Sequence, residues 1–228
     1  MASSTYSLYR SRLQTYFDQT ASATWAQLTS DAPVSGIRAT VRAGRDRMRA
    51  TLLDWLPADL RGQRLLDAGC GTGALAVEAA QRGAEVVAID VAGSLVSIAQ
   101  QRAPAGLKID WRVGDMLDPA LGEFDHVVAM DSLIHYPAFE IVEILRTLAE
   151  RTHGSMVFTF APRTPALTLM HTVGKLFPKA DRAPAIEPVD ERLLRTLLAN
   201  ALPGMRVAAG QRIISGFYTS HGFKMVRA

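Results

Sequence analysis

The sequence predicts an α/β fold: a mostly parallel seven-stranded sheet, helices on both faces, and an antiparallel strand at the C-terminal end. Three observations predict it. Between residues 64 and 160, short apolar runs alternate with helical patterns, the signature of a parallel sheet with crossover helices. Residues 64–80, RLLDAGCGTGALAVEAA, read as strand, tight turn and helix. Four successive strands each end on an acid: Asp67, Asp90, Asp115 and Asp131.

The elements follow in order. In residues 5–28, Tyr9, Leu13, Tyr16 and Phe17 recur at helical spacing, and Trp25 and Leu28 follow a polar break. Such a stripe either packs against the domain or forms an arm folded over a pocket. Asp31, Ala32 and Pro33 read as a helix start, and that helix runs to about Trp55, before Pro57. Its apolar stripe is Ile37, Val41, Met48, Leu52 and Trp55, with Gly44 on the same line. Beside it run Arg38, Arg42, Arg45 and Arg49. Four guanidinium groups on one face suit bidentate binding of carboxylates, or a solvated face paired with acids elsewhere.

The strands are expected at 64–67, 85–90, 108–114, 124–130 and 154–160, and the helices at 73–82, 93–102 and 138–151. Gly69, Gly71 and Gly73 allow positive φ and close approach of a ligand to bare N–H groups. The helix that follows presents unsatisfied N–H groups and a positive dipole end. Cys70 sits inside this turn, where its small size is reason enough for it. Asp90 is placed to hold a ribose diol, and Asp115 is followed by the apolar Met116. After Asp131 the loop MDSLIHYP, residues 130–137, carries the polar groups His135 and Tyr136. Residues 162–185 hold Pro162, Pro165, Pro178 and Pro184. Among them lies a short apolar helix with Leu169, Met170, Val173, Leu176 and Phe177, either a satellite of the core or, as the favoured reading, a lid over a flat apolar substrate. A helix at 189–201 and an antiparallel pair at 206–215 and 216–228 close the sheet.

Composition bounds the function. A chain of 228 residues with 48% hydrophobic content builds one sizeable domain with additions. A net charge of +3 is too small to argue for nucleic acid, but suits an anionic substrate or an anionic membrane surface. The single cysteine excludes an internal disulfide and fits a reducing compartment. No apolar run approaches the roughly 20 residues that span a bilayer, and the N-terminal residues lack the apolar centre of a secretory signal.

Strand-end acids in step with a G-x-G-x-G turn resemble the class I S-adenosylmethionine (SAM) methyltransferases, a Rossmann-like fold, and depart from the dinucleotide fingerprint G-x-G-x-x-G. The resemblance implies that Asp67, Gly69 and Gly71 face the methionine part of SAM, that Asp90 holds the ribose, and that Asp115 and Met116 flank the adenine. Cys70, Val91, Met130 and Asp131 are expected beside them. The loop after Asp131 would then project over the reactive end of the cofactor.

The stretch YFDQTASATWAQLTSDAPVSGIRATVRAGRDRMRATLLDWLP, the glycine turn, MDSLIHYP and SGFYTS together resemble the magnesium-protoporphyrin IX O-methyltransferase family over essentially the whole chain. That family acts in (bacterio)chlorophyll synthesis. It esterifies one propionate carboxylate of the magnesium porphyrin and releases S-adenosylhomocysteine (SAH). The resemblance implies two catalytic positions, Tyr16 and His135. Arg38, Arg42, Tyr136 and Met170 are expected on the porphyrin. No protein-bound metal is expected, because magnesium arrives with the substrate. The implied partner is the large subunit of magnesium chelatase; the implied location is cytoplasmic, peripheral at the photosynthetic membrane. The expected division is a helical arm and helix over residues 1–57, then a SAM-binding domain over 58–228 with its lid at 162–185. A carboxylate is ionised near pH 7, so a strong base is not essential: His135 could hold the carboxylate, remove a residual proton or contact the magnesium, and orientation is the preferred role. Two alternatives stand beside this reading: a SAM methyltransferase of a quinone ring, and a tetrapyrrole carrier that senses SAM.

Overall fold

The apolar runs become seven strands: β1 (Arg64–Ala68), β2 (Glu85–Asp90), β3 (Ile109–Val113), β4 (Phe124–Ala129), β5 (Thr152–Phe160), β6 (Met205–Ser215) and β7 (Tyr218–Arg227). The structure is a computed structural model that describes residues 4–18, 29, 36–163 and 186–228. Among these the helices are α1 (Ser4–Tyr16), α2 (Gly36–Asp54), α3 (Ala74–Gln81), α4 (Gly93–Arg102), α5 (Ala138–Ala149) and α6 (Glu191–Ala201). The sheet order is β3-β2-β1-β4-β5-β7-β6. β1 to β5 pair in parallel, and β7 is antiparallel to both β5 and β6, so β7 alone is reversed. The chain runs outward from β1 through β2 to β3, then crosses back to β4 on the other side of β1. This opens a crevice at the carboxyl ends of these strands.

Both sheet faces are covered, so the central strands are apolar on both sides. Leu66, Ala68, Val87, Ile89, Val127 and Ala129 join one core with Ile141 and Leu145 of α5 and Leu194 and Leu198 of α6. Leu65, Val86, Ala88 and Val128 join the other, with Met48, Leu52 and Leu53 of α2 and Leu75, Ala76 and Ala79 of α3. The period-two alternation of the strands sets this division.

Several boundaries move. The helix expected to reach residue 151 ends at Ala149, and β5 begins at Thr152 rather than at residue 154. The Thr152 hydroxyl donates to the Leu148 carbonyl at 2.7 Å, which satisfies one of the carbonyls a helix end leaves open. Residues 133–135 form a 3₁₀ turn inside the expected loop. Ile37, expected on the apolar stripe of α2, is 59% exposed. Thr40, three residues later, already abuts Gly216 in the β6–β7 turn, so the first turn of α2 extends past the sheet. Trp25, Leu28, the helix start at Asp31, Ala32 and Pro33, and residues 164–185, with Met170, lie outside the described residues.

Gly44 shows how closely α2 packs. A Cβ there would stand 2.5 Å from Cδ1 of Tyr218 and 2.9 Å from its Cβ, so the ring cannot simply swing away. Alanine normally favours a helix over glycine by about 1 kcal/mol. Gly44→Ala should nevertheless destabilise the protein, by roughly 1–3 kcal/mol, because overpacking outweighs propensity. Urea denaturation measures it, and a gain in stability would show that α2 can move off the sheet.

Candidate active site

The crevice is a cavity of about 310 Å³. Its floor is the glycine turn. The Gly69 and Cys70 N–H groups donate to the Ile89 carbonyl at 2.8 and 3.0 Å, so the turn is pinned to β2. Gly69 has φ 85° and Gly73 φ 81°, which L side chains rarely adopt. A Cβ would also collide with Ser132 at Gly69 and with the Trp111 ring at Gly73. Both glycines are therefore required by conformation and by space.

Asp67, Gly69, Cys70, Gly71, Asp90, Val91, Met116, Met130, Asp131, His135, Tyr136 and Arg42 all line the cavity. Asp115, Arg38 and Tyr16 do not, and Met170 lies outside the described residues. The four strand-end acids have different partners. Asp67 is 1% exposed, and its Oδ2 has no hydrogen-bond partner. Burial, reinforced by the charge of Asp90, pushes its carboxyl up to about 7. Asp90 accepts the Gly71 N–H at 2.8 Å and the Ala92 N–H at 2.9 Å. Burial also raises its pKa, against the pull of those backbone donors. Asp115 accepts from the Tyr6 hydroxyl, Arg10 Nη1 and the Leu117 N–H. Asp131 is paired with Arg45 at 2.7 Å.

Cys70 is buried, and burial together with the charges of Asp67 and Asp90 holds its thiol protonated. It is a small side chain of the turn that lines the cavity.

The N-terminal stripe is an arm over the cavity as well as a packed element. Leu13 and Phe17 line the cavity, and Tyr6 and Leu13 are buried in the core beneath. Tyr6 stacks on Tyr136 with centroids 5.6 Å apart, and Tyr9 meets the same ring at 5.7 Å. Asp18 takes the Ser94 N–H at 3.0 Å, satisfying an open donor in the first turn of α4. Tyr16 stands one ring back. Its edge meets Phe17 at 5.2 Å, and Phe17 meets the buried His135 at 6.3 Å. Burial raises the Tyr16 phenol, so it is a donor at neutral pH.

Arg42, Arg45 and Arg49 of α2 line one wall of the cavity, where Arg45 is paired with Asp131 and Arg49 with Asp46 and Glu78. Sequence reasoning selected Arg38 and Arg42 from this stripe, whereas the structure turns Arg45 and Arg49 inward and leaves Arg38 exposed and off the cavity lining. It missed Tyr6 and Arg10 as partners of Asp115, although Tyr6 lies three and seven residues before Tyr9 and Leu13, on the same helical line. Ser132, whose hydroxyl donates to the Ala68 carbonyl at 2.8 Å, carried no signal at all.

The donor set fits SAM. An orphaned carboxylate oxygen suits the ammonium of its methionine part, and Asp90 has lone pairs left for two ribose hydroxyls. Among the described residues, no group of three or more His, Cys, Asp or Glu side chains is placed to hold a metal ion.

The chain matches a model of the magnesium-protoporphyrin IX methyltransferase C-terminus over residues 129–227, and one of the methyltransferase domain over residues 65–153. It is 49% identical to magnesium-protoporphyrin O-methyltransferase of Rhodobacter capsulatus over 220 residues, spanning 95% of this chain and 96% of that one. It is 30% identical to the Synechocystis enzyme of the same name, over 93% of this chain and 94% of its relative. The crystal structure of magnesium protoporphyrin IX methyltransferase from Synechocystis PCC 6803 with bound SAH superposes with a TM-score of 0.84 at 29% identity, covering 96% of this chain and 99% of that one. With the strand order above, this is the class I SAM methyltransferase fold.

The raised Asp67 carboxyl has consequences for pH. Below about pH 4 the folded and unfolded chains both hold the proton. As pH rises toward about 7, the folded chain keeps a proton that the unfolded chain has lost, so ligand-free stability should fall across that window. A bound ammonium favours the ionised form, so SAH should bind at least about tenfold more tightly near pH 8 than near pH 5.5. Asp67→Asn should flatten both trends, read by thermal denaturation and by calorimetric titration. A wild-type slope surviving in Asp67→Asn would move the titration to another group.

Proposed function

This chain belongs to the magnesium-protoporphyrin O-methyltransferase family, and we propose that it transfers a methyl group from SAM to one propionate carboxylate of magnesium protoporphyrin IX. The products are the monomethyl ester and SAH, in (bacterio)chlorophyll synthesis. The observation that carries this reading is the cavity lining, with the buried Asp67 and Asp90 for a cationic donor and Arg42 and His135 in the same lining for an anionic acceptor.

Bound SAM supplies an electrophilic methyl group on a sulfonium. The residues of this chain do the rest by binding and placement. Asp67 takes the ammonium, Asp90 the ribose, and the aromatic arm covers the site and excludes water. Arg42 on the α2 wall and His135 hold the acceptor carboxylate, with Arg38 at the outer end of the same stripe. An ionised carboxylate needs no strong base, so placement in line with the methyl is the main task. A quinone-ring hydroxyl would require proton removal and would gain little from Arg42. Tyr136, whose phenol is kept neutral by burial, supports the arm and meets the porphyrin edge. Tyr16 closes the pocket through Phe17 and donates to the acceptor. Residues 1–57 act as arm and helix on a SAM-binding domain over 58–228, and residues 162–185, with Met170, act as a lid on the macrocycle. The magnesium comes with the substrate. Supply of the porphyrin by the large subunit of magnesium chelatase, and work on the cytoplasmic side at the photosynthetic membrane, complete the reading. Among the described residues no helix is long and apolar enough to cross a membrane.

Incubation of the purified protein with labelled SAM tests the reading. Label should enter magnesium protoporphyrin IX as a base-labile monoester; no turnover of that substrate, with methylation of a quinol instead, would overturn it. His135→Ala should lower kcat by roughly 10²–10⁴-fold with little change in SAH affinity. His135→Asn keeps a donor amide, so orientation predicts partial recovery.

The arm gives a separate test. Tyr6→Phe and Arg10→Ala each remove a bond to Asp115. Both should speed SAH dissociation by about three- to tenfold if the arm must lift for exchange. Stopped-flow displacement measures it, and unchanged rates would leave α1 as packing alone.

A further inference from the structure

We propose that Asp131, held by Arg45, is not a cofactor ligand but the positioning residue that aims the His135 loop. Asp131 has φ 54°, and among the described residues no other non-glycine residue has a positive φ. Asp tolerates that region better than most side chains, yet it needs surroundings that hold it there. Four side chains do so. Oδ2 accepts from Arg45 Nη1 at 2.7 Å and from the Tyr218 hydroxyl at 3.2 Å. Oδ1 accepts from the hydroxyls of Tyr218 at 3.1 Å, Thr159 at 3.2 Å and Ser220 at 3.4 Å. The Asp131 N–H donates to Thr159 Oγ1 at 2.7 Å. A carboxylate has about four lone-pair sites, so these donors from α2, β5 and β7 nearly saturate it. Its side chain is 4% exposed although the residue lines the cavity.

The consequence follows along the chain. The left-handed turn takes the backbone out of β4 and back under the glycine turn, where Ser132 is bonded to the Ala68 carbonyl. The 3₁₀ turn Leu133–His135 comes next and sets His135 into the cavity wall. The direction of His135 is thus inherited from Asp131. The inference rests on the reading of His135 as an acceptor-side residue.

Three variants test it. Tyr218→Phe deletes one donor to the hub and keeps the ring that packs on Gly44. Asp131→Asn keeps an acceptor and the tolerance of positive φ; Asp131→Ala loses both. A misplaced reacting group costs on the order of a hundredfold, so kcat should fall roughly ten- to a hundredfold in Asp131→Ala and about three- to tenfold in Tyr218→Phe. Asp131→Asn should recover most of the rate. SAH affinity by calorimetry should stay within about twofold of wild type in all three. In histidine-labelled protein, the His135 ring signals, assigned with His135→Ala, should move in Tyr218→Phe while those of His126 stay. SAH affinity falling about tenfold or more in both Asp131 variants would make Asp131 a cofactor ligand. Wild-type kcat with unmoved His135 signals in Tyr218→Phe would equally overturn the proposal, whether or not Asp131→Ala folds. A wild-type rate in His135→Ala would instead defeat the reading of His135, and the signals would still decide whether the hub aims the loop.

Discussion

Two carboxylates held out of water at the ends of adjacent strands are the constraint on which this structure depends. Asp67 and Asp90 stand under the glycine turn, and burial raises the pKa of both. Burying a charge is costly: Asp90 offsets it with the N–H groups of Gly71 and Ala92, and Asp67, with one oxygen left unpartnered, by holding its proton more tightly. The backbone packs tightly around them. The turn approaches its neighbours too closely for any Cβ at Gly69 or Gly73, and its N–H groups are spent on β2 and Asp90.

The other two strand-end acids serve the walls of the cavity. Asp115 is taken by the arm, through Tyr6 and Arg10, and so ties α1 to the end of β3. Asp131 is taken by Arg45 and the hydroxyls of β5 and β7. One repeated feature, an acid after a strand, thus does different work according to what the fold brings to it. Asp67 and Asp90 lie on the neighbouring strands β1 and β2, where Asp90 meets the backbone N–H groups of Gly71 and Ala92 and Asp67 keeps one oxygen without a partner. Asp115 and Asp131 lie where an added helix arrives, α1 over one and α2 over the other.

The arginine stripe of α2 shows the same division of labour. Its spacing puts four guanidinium groups on one side of a helix, but a helix face is wider than a cavity wall. Packing of Met48, Leu52 and Leu53 into the core sets the rotation of α2 about its axis. That rotation brings Arg42, Arg45 and Arg49 to the cavity, and Arg38, on the same face but in the first turn of α2, lies beyond the cavity's end.

The sequence by itself determined the alternation of strands and helices, the glycine turn, the acids at four strand ends and the reversed C-terminal strand. These are local: each follows from periodicity, a required φ or a strand's last residue, and neighbours along the chain carry the signal. It also showed that residues near Tyr9 and Leu13 form an apolar helical stripe, though not what that stripe covers. Tertiary structure alone decided that Tyr6 and Arg10 meet Asp115, more than a hundred residues away. It alone decided that Ser132 fits beneath Gly69, and that Asp131 is saturated by side chains from α2, β5 and β7. Hydrogen bonds between distant segments depend on how whole elements dock, and docking is set by the summed packing of two cores rather than by any residue's own preference.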